Sequence, residues 1–181
     1  MAARAAAGHR EAFGELVQRY QAAVRRVCRA VTGDDHDADD AAQDAFVSAL
    51  DRIETYDRTR PFGPWLMRIA ANAGIDLLRR HAVRKAVTLD EALVAGGPSP
   101  AIDAGRAELR ERIRAALAQL PERQRIAVAL FDLEGYAHAE VAKVLGVPEG
   151  TARSDVFHGR RRLRELLKVY DPALEREEEA E

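Results

Sequence analysis

Residues 136–167 read YAHAEVAKVLGVPEGTARSDVFHGRRRLRELL, and this stretch predicts two helices joined by a tight turn. The first helix, roughly 137–145, has small or apolar residues on one side, at Val141, Ala142 and Leu145. Gly146 is expected to end it, because glycine adopts the left-handed conformation after a helix at little steric cost. Pro148 can open the second helix, since the amide that proline lacks has no partner at the first helical position.

The second helix separates an apolar side from a basic side when its residues are placed about 100° apart. The apolar stripe consists of Ala152, Val156, Leu163 and Leu167. The opposite side consists of Thr151, Ser154, His158, Arg161 and Arg162. A small residue at the helix crossing, a glycine in the turn and a basic second helix are what a DNA-reading helix-turn-helix requires. An amphipathic helix with a solvated basic face fits the same residues, so they leave both interpretations open.

The charge of the whole chain hides local differences. Of 181 residues, 32% are charged, yet the formal net charge is only -2. Residues 34–44 contain six aspartates and no lysine or arginine, whereas residues 151–168 contain six basic residues against two acids. Because the charge is segregated, the near-neutral total does not exclude a nucleic-acid-binding surface.

Cysteine usage and hydropathy predict a cytoplasmic protein. Cys28 lies among Val24, Val27 and Val31, which indicates a small buried hydrophobe rather than a nucleophile. One cysteine allows no internal disulfide and fits a reducing compartment. The opening MAARAAAGHREAF is too polar for a signal peptide, and no apolar run approaches membrane-spanning length.

The first part of the chain predicts two helices around an acidic run. Apolar residues at helical spacing indicate a core-facing helix over residues 11–30. The aspartates of residues 35–40 are expected to supply caps and first-turn acids for a second helix through Phe46, Val47 and Leu50.

The same acidic run, DDHDADD, does not have the spacing of a metal site. A calcium loop beginning at Asp35 needs glycine at its sixth position and glutamate at its twelfth, but Asp40 and Phe46 stand there. We therefore expect no metal and no cofactor. The run is interpreted as helix caps or as a protein-docking face.

A loop of aromatic and cationic residues precedes a third, basic helix. The loop, residues 51–64, includes Tyr56, Arg58, Arg60 and Phe62. The helix over 65–80 has Trp65 on its apolar stripe and ends among Arg79, Arg80, Arg84 and Lys85. Rings that stack on unpaired bases, beside cations that follow phosphates, suit single-stranded nucleic acid. Tyr56 and Phe62 fit a core position equally well.

The glycines and prolines of residues 96–100, GGPSP, interrupt helices and predict a flexible linker over residues 86–107. Helices are then expected over 108–120 and from Pro121 to Gly135. The prediction is an all-α protein: two small helical domains, 1–85 and 108–170, joined by the linker, with the helix-turn-helix in the second. Residues 171–181 hold six acids and one arginine, which predicts a disordered acidic tail.

Four segments, in this order, resemble the extracytoplasmic-function class of RNA polymerase sigma factors, within the sigma-70 family. They are AFGELVQRY at 12–20, DADDAAQDAF at 37–46, WLMRIAANAGIDLLRR at 65–80 and LPERQRIAVALFDLEGYAHAEVAKVLGVPEGTARS at 120–154. The resemblance implies a region 2 domain that holds core polymerase and opens the promoter at the -10 element. It also implies a region 4 domain that reads the -35 element.

The resemblance assigns residues to three surfaces. Docking on the β′ clamp helices falls to Asp40, Gln43, Asp44 and Phe46. The -10 surface, including a pocket for a flipped base at the loop and Asn72, comprises Tyr56, Arg58, Arg60, Phe62, Asn72, Asp76, Arg79 and Arg80. The -35 surface comprises Thr151, Arg153, Ser154, Asp155, His158, Arg161 and Arg162. The implied partners are core RNA polymerase, through its clamp helices and β flap, promoter DNA and an anti-sigma factor.

Some residues depart from the family pattern. Asp155 stands where the family usually has arginine or another non-acidic residue, and His158 where arginine is frequent. We expect Asp155 to lie beside the major groove, where it would accept from a cytosine amine and shift the -35 preference. Ala137 lacks a side-chain oxygen, so a weak cap is expected at that helix start.

The implied function is promoter-specific initiation by a subunit without an active site. The sequence shows no nucleophile–base pair, phosphate-cradling glycine loop or ligand-spaced His/Cys cluster. The alternative is a duplex-DNA regulator whose first domain dimerises or senses a signal. The aromatic loop and the helix over 65–80 favour the sigma factor, because a plain repressor does not need to capture single strands. A metal-dependent hydrolase built on the acidic run is disfavoured by the spacing above.

Overall fold

The computed structural model describes residues 1–87 and 104–168 and is built from helices. They are α1 (Ala2–Ala5), α2 (Arg10–Thr32), α3 (Asp35–Arg52), α4 (Phe62–Val87), α5 (Ala104–Ala118), α6 (Glu122–Val128), α7 (His138–Leu145) and α8 (Glu149–Lys168). A 3-10 turn, Ile53–Thr55, follows α3, and a π-helical turn, Ala129–Leu133, continues α6. The described residues contain no strand, so the predicted all-α class is confirmed.

The predicted linker and tail fall mostly outside the described residues. These exclude 88–103 and everything after 168, and so the whole of the acidic tail. The described ends of the linker are helical, because α4 continues to Val87 and α5 begins at Ala104.

The first domain is a bundle of α2, α3 and α4. Its core on α3 is a stripe of fully buried small residues, Ala38, Ala41, Ala45 and Ala49. The larger buried side chains come from α2 and α4, among them Val24, Val27, Leu66 and Met67. Small residues on the middle helix leave room for the larger ones, as close packing of the interior requires.

Asp34 caps α3. Its Oδ1 accepts from the backbone amides of His36 at 2.8 Å and Asp37 at 3.0 Å. The acidic run therefore begins with a helix cap, one residue before the predicted range, and its first-turn acids favour the positive end of the helix dipole.

The second domain contains the predicted helix-turn-helix, α7 and α8. Gly146 ends α7 with φ +68°, in the left-handed region, as the sequence predicted. Pro148 precedes α8 rather than beginning it, and its carbonyl accepts from the amides of Thr151 and Ala152 at 3.0 and 3.1 Å. At the start of α7, the Ala137 amide donates to Glu140 Oε2 at 3.0 Å, which supplies half of a capping box despite the missing oxygen.

The two domains pack against each other through α2, α4, α6, α7 and the turn between α6 and α7. Gly63 lies so close to Tyr136 that a Cβ there would be 2.5 Å from the tyrosine hydroxyl oxygen. Arg26 donates to both carboxylate oxygens of Glu134 at 2.5 and 3.0 Å. Arg125 donates to a backbone carbonyl at the end of α2 at 2.9 Å. The described parts of the two domains therefore form one closed arrangement with a shared core.

Candidate nucleic-acid and polymerase interfaces

The residues expected to dock on polymerase lie along the outer side of α3. Asp40, Gln43 and Asp44 are exposed, whereas Phe46 is half-buried against the core. Val47 and Leu50, through which the sequence predicted that the helix continues, are 60% and 46% exposed. Alanines form the core side of α3, so these larger apolar side chains lie on its surface. Apolar side chains within an acidic rim suit a protein partner that carries apolar and basic groups.

Two residues assigned to different partners pair with each other. Arg80 Nη2 donates to Asp44 Oδ2 at 2.8 Å, and both side chains are about half exposed. The pair lies in a cleft of about 310 Å³ between α3 and α4, which Val47 and Asp76 also line. A pair this exposed contributes at most about 1 kcal/mol, so a binding partner can displace it at small cost. The docking and -10 surfaces thus adjoin along one cleft.

An exposed stripe of polar side chains runs along α4. It consists of Arg68, Asn72, Asp76, Arg79 and Arg80. The spacing of three or four residues places them on one side of the helix. Within the stripe, Arg79 pairs with Asp76 at 3.5 Å. The structure therefore brings together four of the expected -10 residues along α4: Asn72, Asp76, Arg79 and Arg80.

The aromatic residues Tyr56, which precedes α4, and Phe62, its first residue, lie in the core, one of the two positions that the sequence allowed. Tyr56 and Phe62 are 7% and 8% exposed. Their rings meet edge to face at 5.3 Å, and each lies within 5.3 Å of the Trp65 ring. The Tyr56 hydroxyl also donates to the Arg60 carbonyl, which closes the loop. In this conformation neither ring is open for stacking on a base.

The two cations of the loop, Arg58 and Arg60, also interact with groups of the protein. Arg58 donates to the carbonyl of Ala6 at 3.2 Å. Arg60 pairs with Asp57 at 3.0 Å, and the Asp57 carboxylate also accepts from Thr59. These contacts fix the loop that leads into α4.

The expectation for Asp155 is wrong. Its carboxylate is buried rather than facing the groove, and it accepts from Arg123 Nε at 2.6 Å and Nη2 at 3.2 Å. The two hydrogen bonds also raise the pKa of Arg123. A carboxylate used in this way is not available to a cytosine amine. Other expected -35 residues, Arg153, Ser154, His158, Arg161 and Arg162, are exposed, and Thr151 is half-buried.

Phe157 is a candidate that the sequence analysis missed. Its side chain is 61% exposed and lies in a groove of about 450 Å³. The groove is lined by His138, Arg153, Val156, Phe157, Arg160, Arg161 and Arg164. An aromatic residue outside the apolar stripe of an amphipathic helix is the signal that would have identified it. Such a ring can contact the methyl group of thymine.

The described residues hold neither a cluster of three potential metal ligands nor a helix long and apolar enough to cross a membrane. Burial raises the pKa of the Cys28 thiol to about 12. The thiol donates weakly to the Ala70 carbonyl at 3.6 Å, which fits a packing role.

Known proteins match both halves of the chain. Residues 16–84 match Sigma-70 region 2, and residues 110–163 match Sigma-70, region 4. The ECF RNA polymerase sigma factor SigM of Mycobacterium tuberculosis is 35% identical over 161 residues, which cover 89% of this chain and 80% of that protein. SigW of Bacillus subtilis, also an ECF RNA polymerase sigma factor, is 30% identical over 171 residues, covering 89% and 91%. The solved structure of CnrH in complex with the cytosolic domain of CnrY is similar, with a TM-score of 0.73 at 31% identity over 93% of this chain and 95% of that one.

Proposed function

Because the chain belongs to the extracytoplasmic-function class of sigma-70 family RNA polymerase sigma factors, we propose that it binds core polymerase and directs promoter-specific transcription initiation. In this proposal residues 1–85 dock on polymerase and open the -10 element, and residues 108–170 recognise the -35 element. The observation that carries it is the cleft between α3 and α4. There the exposed docking face and the exposed stripe with Asn72 adjoin, so polymerase and melted DNA can be held side by side.

Asn72 has the chemistry for reading an unpaired base, because its amide both donates and accepts. Extruding a base costs a few kcal/mol of stacking, which contacts to the base and to polymerase must return. Tyr56 and Phe62 support this step from the core, by fixing the loop that begins α4, rather than by stacking on the base.

At the -35 element, α8 would lie in the major groove of duplex DNA. Arginine can form two hydrogen bonds to guanine, and such a contact discriminates by roughly 1–3 kcal/mol. Arg153, Ser154, His158, Arg161 and Arg162 are the exposed candidates, and we add Phe157 to them as an apolar contact. We also expect an anti-sigma factor as a protein partner, a proposal supported by the likeness to CnrH in its complex with CnrY.

Reconstituted transcription with purified core polymerase tests the proposal. Asn72→Ala should slow opening of a duplex promoter roughly five- to 150-fold, the range expected for one lost base contact, and should affect binding to pre-melted promoter DNA less. Gln18→Ala, which removes an exposed amide from α2, is the matched control.

Equal losses on duplex and pre-melted templates would contradict the opening role of Asn72. If the wild-type chain yields no promoter-specific transcripts, the sigma-factor proposal fails and a simple duplex-DNA regulator is favoured.

A further inference from the structure

We infer that Arg123 of α6 belongs to the surface that contacts DNA at the -35 element, and that Asp155 of α8 positions its guanidinium there. This inference rests on the proposed function of α8. It extends the DNA-binding surface to a second helix and gives the buried acid of the recognition helix a role as a positioning residue.

The two partners of this ion pair differ in exposure. The Asp155 side chain is 7% exposed, whereas the Arg123 side chain is 55% exposed. Asp155 uses both oxygens on Arg123, at 2.6 and 3.2 Å. These bonds use two of the five N–H donors of a guanidinium, and the planar fork can hold a carboxylate along one edge and a phosphate along another. The buried Asp155 carboxylate therefore holds the Arg123 guanidinium in place, while the rest of the guanidinium remains exposed to a ligand.

The position of Asp155 on α8 places Arg123 next to the proposed DNA-facing side. At about 100° per residue, Thr151, His158 and Arg162 lie within roughly 60° of Asp155 on one side, while the buried Ala152 and Gly159 lie on the other. Asp155 thus occupies the seam between the packed side and the polar side of the helix. A guanidinium held there continues the row of polar side chains rather than lying behind it.

Close packing of α6 on α8 fixes the position of the Arg123 backbone. Gly159 has no room for a side chain, because a Cβ there would lie 2.7 Å from Val128 Cγ2 and 3.3 Å from the Gln124 carbonyl oxygen. Two helices in such close contact cannot shift easily relative to each other. Arg123 is therefore presented in a defined place, unlike a cation on a mobile surface side chain, and loses less freedom when it binds a phosphate.

Arg123 could also serve merely to neutralise a buried carboxylate, so the experiment must separate stability from DNA binding. The double variant Arg123→Gln with Asp155→Asn removes both charges, keeps the net charge of the chain and retains groups that can hydrogen-bond. In polymerase holoenzyme it should bind a promoter fragment about five- to tenfold more weakly at 0.1 M salt. The slope of log affinity against log salt should fall by about 1, the value for one phosphate contact. Thermal unfolding of the variant shows whether the fold is retained.

Arg162 is an exposed cation of α8, and the variant Arg162→Gln distinguishes failure of the Arg123 inference from failure of the proposed -35 role of α8. If Arg162→Gln weakens promoter binding but the double variant keeps wild-type affinity and salt slope, Arg123 is only structural and the inference is wrong. If neither variant changes binding, the proposed -35 role of α8 fails with it.

A measurement on the wild-type chain remains decisive if the double variant does not fold. Phenylglyoxal modifies exposed arginines, and mass spectrometry quantifies the modification of each one. In the holoenzyme, a promoter fragment that contains the -35 element should reduce modification of Arg123 several-fold, and a fragment that lacks the element should not. Equal modification with both fragments would overturn the inference.

Discussion

Replacing Arg26 by alanine should open the closed arrangement of the two domains. Arg26 donates two hydrogen bonds to Glu134, whose side chain is only 6% exposed. Hydrogen bonds to charged groups contribute about 1.5–3 kcal/mol each, and removing one partner of a buried pair costs about 3–5 kcal/mol. Arg26 is itself 49% exposed, and solvent screening lowers these values. We expect about 2–3 kcal/mol, a roughly 30- to 150-fold shift, because opening lets water reach the unpaired Glu134 carboxylate.

Distance measurement between the domains checks this expectation. Fluorophores on Gln43→Cys in α3 and Gln119→Cys after α5 report the separation in single molecules, since both positions are exposed. Cys28 can stay, because its thiol is fully buried and its pKa is raised to about 12, so it remains protonated and unlabelled. The parent chain should show one short distance, and Arg26→Ala should add a longer one.

Arg25→Ala is the matched control for Arg26→Ala. Arg25 is the neighbouring residue on α2, and it pairs with Asp39 of its own domain at 2.5 Å. Its loss should lower stability slightly and leave the distance between the labels unchanged. If Arg26→Ala keeps the single short distance, as Arg25→Ala is expected to, the pair with Glu134 does not hold the domains together and the energetic argument is wrong.

Two further predictions concern α3. Replacing both Asp40 and Gln43 by alanine should weaken association with core polymerase at least several-fold and leave binding of a -35 duplex intact; an unchanged affinity for core polymerase would refute the docking assignment. Hydrogen bonds from the backbone amide of Asp37, and then from that of His36, lower the pKa of Asp34. The stabilisation from this charged cap is therefore fully present above the ordinary carboxylate pKa of about 3.9, and it is lost as the pH falls through the lowered pKa of Asp34. Asp34→Ala should therefore cost about 1 kcal/mol of unfolding free energy at pH 7 and less at pH 3, as urea denaturation can measure, whereas an equal cost at both pH values would exclude the charged cap.

Local signals in the sequence were sufficient for the helix-turn-helix. Gly146 adopts the left-handed conformation that its place after an apolar stripe predicted, and α7 and α8 begin and end within one or two residues of the expected bounds. The signal is strong because each feature depends on residues a few positions apart. Helical periodicity and the conformational freedom of glycine then decide the structure with little help from the rest of the chain.

Contacts between distant segments explain what the sequence did not show. The sequence did not show that Asp155 is buried, because its partner Arg123 lies 32 residues earlier in the chain. Likewise, nothing in the spacing around Glu134 reveals that its partner is Arg26, 108 residues away. Tyr56 and Phe62 could not be assigned either, because aromatic rings suit both a core and a base, and only the packing around them decides.

The π-helical turn Ala129–Leu133 sets the rotation of the segment that carries the contacts between the domains. A π turn holds one residue more than the α-helical turn it replaces, so it rotates everything after it. Removing one residue there would turn the following segment by about 100°. Glu134 would then point away from Arg26, and Tyr136 away from Gly63, while Gly135 could still lead into an intact helix-turn-helix. Because α8 packs on α6, through Gly159 against Val128, the same deletion would also disturb the Arg123–Asp155 pair, so this one turn sets the orientation of both contacts.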